Sequence, residues 1–121
     1  MQVPAYSLFS LCVALAAPAA GAHAFLDHAD PKVGGVVAAP PSVIRLWFTE
    51  NVEPKFSRIE LVSAAGEHVA TGPVSVAKDD RSELYLPIGG ALPPGVYKVS
   101  WRVVSTDTHQ TEGDFTFEVR P

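Results

Sequence analysis

Four histidines, His23, His28, His68 and His109, are the residues of this chain best suited to chemistry. Serine and aspartate are also present, but no Gly-x-Ser-x-Gly elbow presents a nucleophile. The chain has neither a phosphate-cradling glycine loop nor a His-Glu-x-x-His helix. The chemistry left open is metal ligation by imidazole and carboxylate. Asp107 and His109 stand two residues apart, and on an extended segment such residues point to the same side. The carboxylate and the ring can therefore converge on one point. The competing reading of this pair is a turn in which the aspartate accepts local backbone N–H bonds.

His23 acquires its meaning from the chain before it. Residues 4–20 are almost wholly apolar or small, and no charged residue occurs before Asp27. Residues 8–15 read as the apolar core of a secretory signal, and Ala20-Gly21-Ala22 supplies the small-x-small pattern that signal peptidase cuts after. The departure from that pattern is the missing Lys or Arg near Met1. An uncleaved anchor is the alternative, but the apolar run is shorter than the roughly 20 residues a span needs, and no cationic flank follows it. Cutting after Ala22 divides the chain into a signal, residues 1–22, and one exported domain, residues 23–121, of 99 residues.

A histidine at a free N-terminus carries two donors, its α-amine and its ring Nδ1, which close a six-membered chelate on one ion. The amine has an ordinary pKa near 8, so a strongly bound metal displaces its proton close to neutral pH. A chance histidine beside a cut site is the plainer reading of His23 alone. Joined with Asp107 and His109 the set becomes amine, two imidazoles and a carboxylate. Three nitrogens and an oxygen suit a tetragonal Cu(II) site.

The elements that must position these residues are short strands. Ile44, Leu46 and Phe48 alternate with Val43, Arg45 and Trp47, the period of two of a sheet with one face in the core. The same alternation marks residues 58–61, 83–86, 97–103 and 115–119, with shorter segments near 24–26 and 74–76. Pro40-Pro41, Ala65-Gly66, Gly89-Gly90 and Pro93-Pro94-Gly95 punctuate them. About seven short strands without helical periodicity predict an all-β fold, a Greek-key β-barrel or immunoglobulin-like β-sandwich. Residues 92–97, ending in Tyr97, resemble a tyrosine corner. Trp47 and Trp101 are expected in the core, and Asp107 and His109 fall in the last inter-strand loop.

Composition excludes other classes. Nine Lys and Arg against thirteen Asp and Glu give a net charge of −4, which argues against nucleic acid or an anionic membrane surface as partner. The single cysteine, Cys12, leaves with the signal, and so does the only methionine. The exported domain must fold on packing alone, in a compartment where disulfides are permitted.

An exported chain beginning with histidine is followed here by Leu46-Trp47-Phe48-Thr49-Glu50-Asn51, Phe56-Ser57, and Gly95-x-Tyr97-x-Val99-x-Trp101-Arg102-Val103-Val104-Ser105-Thr106-Asp107-Thr108-His109, and it closes with Gly113-x-Phe115-x-Phe117. The pattern covers essentially the whole exported domain and resembles the CopC family of periplasmic copper-binding proteins. The resemblance implies a seven-stranded Greek-key β-barrel, one Cu(II) per chain, and a carrier or buffer role in copper resistance, homeostasis or uptake. It implies His23, Asp107 and His109 as metal ligands and Glu50 as an outer-sphere or weak axial partner. A plain strand-end carboxylate stays open for Glu50. The resemblance also implies a CopD-like inner-membrane copper transporter as partner.

A methionine-rich Cu(I) site, carried by many members of the family, has no counterpart in an exported domain without methionine. His68, in the loop spanning residues 64–72, and His28, beside Asp27, are expected to be solvated loop histidines. No catalytic residue is assigned, and the protein is expected not to be an enzyme, to bind no nucleic acid and to insert no part of the mature chain in a membrane. The alternatives are an oxidative copper enzyme built on an N-terminal histidine brace and a metal-free immunoglobulin-like interaction module.

Overall fold

The computed structural model of the 121-residue chain describes Gln2 and residues 23–121. The expected signal and its cut after Ala22 lie, Gln2 apart, outside the described residues.

Alternation builds eight strands: β1 (Leu26–Asp30), β2 (Val36–Val37), β3 (Val43–Phe48), β4 (Arg58–Ser63), β5 (Ser75–Val76), β6 (Glu83–Pro87), β7 (Gly95–Val104) and β8 (Gln110–Val119). They form two four-stranded sheets, in the orders β1-β3-β6-β5 and β2-β8-β7-β4. Only β5–β6 and β7–β8 are sequential neighbours within a sheet; the other connections pass between the layers, as a Greek-key sandwich requires. All seven expected segments are strands, with shifted bounds. The eighth, β2, pairs in parallel with the end of β8, Val36 opposite Glu118 and Val37 opposite Val119.

The core lies between the sheets, where the inward faces of β3, β6, β7 and β8 bury Ile44, Leu46, Leu84, Leu86, Val99, Val103 and Phe117. Each large apolar side chain so buried contributes roughly 1.5–3 kcal/mol relative to exposure. Trp101 packs edge-on against Phe48, centroids 5.2 Å apart, and its indole lies over Gly113, where a Cβ would meet Cζ2 at 2.6 Å. The tyrosine corner is present: Tyr97 Oη donates to the Pro93 carbonyl at 2.5 Å.

Two expectations are corrected. Trp47 is not a core residue: it shares the outward face of β3 with Arg45 and is half-buried. The ring stacked on it, at 4.3 Å and 8°, belongs to His28, which lies in β1 rather than in a loop. Trp47 faces outward because it alternates with the buried Leu46 and Phe48; for His28 the physical reason is a bulge. The register slips between Leu26, opposite Phe48, and His28, opposite Trp47, so Asp27 is an extra residue and both Asp27 and His28 face outward. Asp27 Oδ2 stands 2.7 Å from His28 Nδ1. Among the described residues no helix is long and apolar enough to cross a membrane.

Candidate metal centre

The long β7–β8 hairpin carries Asp107 and His109 at its tip. Its ladder runs to the Val104–Gln110 pair, and the loop closes where Ser105 N–H donates to the His109 carbonyl at 2.9 Å. Thr108 N–H donates to the Ser105 carbonyl at 2.9 Å, which turns the chain tightly enough to hold Thr108 in the left-handed region, φ 75°. A non-glycine residue there is uncommon and costs energy that surrounding bonds must hold in place. The loop is braced from the side as well. Thr106 N–H donates to the Asn51 carbonyl at 3.1 Å, and Ser105 lies opposite Val52.

Ser105 is buried at the root of this loop, 2% exposed. Its hydroxyl donates to Asp107 Oδ1. Asp107 Oδ2 lies 3.1 Å from His109 Nδ1. The Ser105 hydroxyl, followed by His109's side chain and backbone, holds the Asp107 carboxyl down at about 2, so it is ionised at neutral pH. An ionised carboxylate only accepts; Nδ1 of His109 therefore carries the proton in that contact, and Nε2 keeps the free lone pair. A carboxylate fixing the tautomer of a ligating imidazole is a familiar arrangement in metal sites.

His23 reaches this loop from the other end of the domain. Its ring stacks on His109 with centroids 4.7 Å apart and planes at 27°, and the Phe25 ring stacks on His23 at 6.1 Å and 22°. The structure thus brings together His23, Asp107 and His109, the three predicted ligands. Among the described residues no three His, Cys, Asp or Glu side chains are assembled as a ready metal cage. The two rings are near parallel, so their lone pairs aim side by side rather than at one point, and meeting on one ion would need the exposed rings to turn about χ1 and χ2.

Glu50 is half-buried, between Thr49, which bonds the 23–25 segment, and Asn51, which bonds the 105–109 loop. Its carboxylate has no hydrogen bond or ion pair among the described residues. His28 and His68 are not part of the cluster: His28 is held by Asp27 and Trp47, and His68 is exposed on the turn after β4, its backbone opposite Val62. Sequence reasoning missed Ser105 as a site residue although it stands two before Asp107; an i to i+2 serine–aspartate pair before a turn was the signal.

The chain matches a family model described as the CopC domain over residues 26–120. Protein YobA of Escherichia coli (strain K12) is 38% identical over 115 residues, covering 95% of this chain and 93% of that protein. Copper resistance protein C of Pseudomonas syringae pv. tomato is 36% identical over 106 residues, covering 84% and 83%. Among solved structures, CopC from Methylosinus trichosporium OB3b superimposes with a TM-score of 0.76 at 36% identity, covering 82% of this chain and 95% of that one. PcoC of Escherichia coli, described as a methionine-rich copper resistance protein, gives 0.74 at 36% identity, covering 82% and 100%. The single methionine here is Met1.

Proposed function

We propose that this chain, which belongs to the CopC family, is exported to the periplasm, is cut after Ala22, and there carries or buffers one Cu(II) ion per molecule. The observation that carries the reading is the approach of His23 to His109, 4.7 Å between ring centroids, over a loop whose Asp107 is ionised. Cleavage adds the α-amine, and the donors become that amine, Nδ1 of His23, Nε2 of His109 and a carboxylate oxygen of Asp107. Nitrogen-rich sets of this kind favour Cu(II), which also tops the divalent affinity order. No thioether or thiolate remains in residues 23–121 to favour Cu(I).

Each protein group has a separate task. The His23 chelate anchors the ion through two atoms of one residue, which lowers the ordering cost of the second bond. Asp107 holds His109 with Nε2 outward and offsets part of the ion's charge. Glu50, without an ion pair among the described residues and beside both segments, is the outer carboxylate that the ion's remaining charge attracts. Exposure of the rings suits a carrier, since cargo must leave again, and a CopD-like transporter is the membrane partner to which it is handed.

The test is a Cu(II) competition titration on protein whose first residue is verified as His23 by mass spectrometry. One Cu(II) per chain is expected, with protons competing for the nitrogen donors as the solution is made acid. His23→Ala, and a form retaining one residue ahead of His23, are expected to lose the site. Equal binding by parent and both altered forms overturns the reading.

A further inference from the structure

Residues 23–25 come before the first strand, yet all three of their carbonyls and the Phe25 N–H have hydrogen-bond partners. Thr49 N–H donates to the Phe25 carbonyl at 2.8 Å, continuing the β1–β3 ladder by one bond. The return bond is not to backbone: Phe25 N–H donates to Thr49 Oγ1 at 3.0 Å, and that hydroxyl faces the His23 carbonyl at 3.4 Å. The Ala24 carbonyl accepts from Thr111 Oγ1. Between these contacts the Ala24 methyl is fully enclosed, 0% exposed. Thr49 lies just past β3 in one sheet, and Thr111 is the second residue of β8 in the other.

We propose that Thr49 and Thr111 are positioning residues of the metal site, clamping the 23–25 segment between the two sheets so that the N-terminus created by cleavage is delivered to His109; this rests on the copper reading above. The peptide planes on both sides of Ala24 are held by hydrogen bonds. What remains free in the terminal residue is its ψ, which swings the α-amine, and χ1 and χ2, which turn the ring. Those are the rotations that convert the stacked pair of rings into a chelating one. Thr111 also stands two residues after His109, on the same hairpin. A single rigid element therefore carries the far imidazole and the hydroxyl that sets the near one. An N-terminal chelate without such a clamp has to order three residues each time it closes, at a cost in backbone entropy.

The test uses the processed protein with Thr49→Val and Thr111→Val, which keep the β-branched shape and remove the hydroxyl, beside Thr49→Ser and Thr111→Ser, which keep the hydroxyl. Each valine variant is expected to lose about 10–100-fold in Cu(II) affinity, the usual scale for partners that orient a ligand, and each serine variant to bind like the parent. Two further readouts follow placement rather than stability. The Cu(II) electron paramagnetic resonance signal should show weakened amine coordination in the valine variants, and amide exchange at Phe25 in metal-free Thr49→Val should accelerate. Should a valine variant fail to fold, alanine at the same position is compared with serine in its place. Valine variants that bind and give spectra like the parent overturn the proposal. If His23→Ala loses copper while they do not, the clamp alone fails; if His23→Ala binds as the parent does, the copper reading fails with it.

Discussion

Two loops of this domain each present a histidine, and only one of them has the makings of a site. The loop after β7 places His109 within 3.1 Å of an ionised carboxylate and in stacking contact with a second imidazole, on a root residue, Ser105, that is buried. The loop after β4 leaves His68 exposed among alanine, glycine, glutamate and threonine, and its ring has no hydrogen bond, ion pair or ring contact among the described residues. The two side chains are chemically identical. What separates them is what arrives from elsewhere: Asp107 from two residues away, Asn51 and Thr49 from the end of β3, His23 from the start of the domain. A histidine becomes a candidate ligand by its neighbours rather than by its own exposure.

The sharpest way to break that comparison is to remove each ring. His109→Ala is expected to reduce Cu(II) affinity on the order of 100-fold or more, beyond the range of an orienting partner. His68→Ala should leave it within about twofold, as surface changes away from a site do. A competition titration that lowers both equally would erase the distinction.

A smaller effect concerns backbone. Both loops contain a left-handed residue, Gly66 at φ 81° in one and Thr108 at φ 75° in the other. Glycine adopts that conformation without strain, whereas a β-branched residue is held there by its surroundings. Gly66→Ala should therefore destabilise by about 1–2 kcal/mol. Thr108→Gly should stabilise by about 1 kcal/mol, the relieved strain exceeding the entropy glycine gains when unfolded. Denaturant midpoints check both signs.

The smallest effect is electrostatic. Asp107 is lowered from 3.8 to about 2, first by the Ser105 hydroxyl and then by His109. A depressed carboxylate stabilises the fold where it is ionised in both states: the contribution is complete above about pH 4 and disappears as the pH falls to about 2. Ser105→Ala should raise that pKa toward 3.8 and flatten the acid limb of stability between those values. The parent protein is the reference for that limb. Acid titration followed by circular dichroism, with the Asp107 carboxyl read by nuclear magnetic resonance, compares the two.

Much of the fold was legible because alternation is local. β3, β6, β7 and the second half of β8 follow from their own residues, and Pro93 to Tyr97 announced the corner. β2 was not, since two valines between Gly34-Gly35 and Ala38-Ala39 carry no period and gain strand character only by lying along β8. The Asp27 bulge defeated the reading of His28 because alternation cannot reveal an extra residue. The proximity of Asp107 to His109 was written in their spacing. Thr49 and Thr111 could not be found that way, for their bonds to residues 23–25 span 24 to 87 positions and exist only once the two sheets are closed.

The buried methyl of Ala24 acts as the zero mark of a ruler. It fixes the count of residues against the domain, because Ala24 is fully enclosed and its carbonyl is bonded to Thr111. A leader removed one bond too early or too late would leave the same packed sandwich, with the same resistance to heat and protease. Cut early, the molecule would carry its terminal amine one residue away from His23; cut late, it would lose the His23 ring with the leader. Folding surveillance in the cell, which senses exposed apolar surface, would pass such a molecule, and a metal titration would be the assay able to tell it from the correctly cut one.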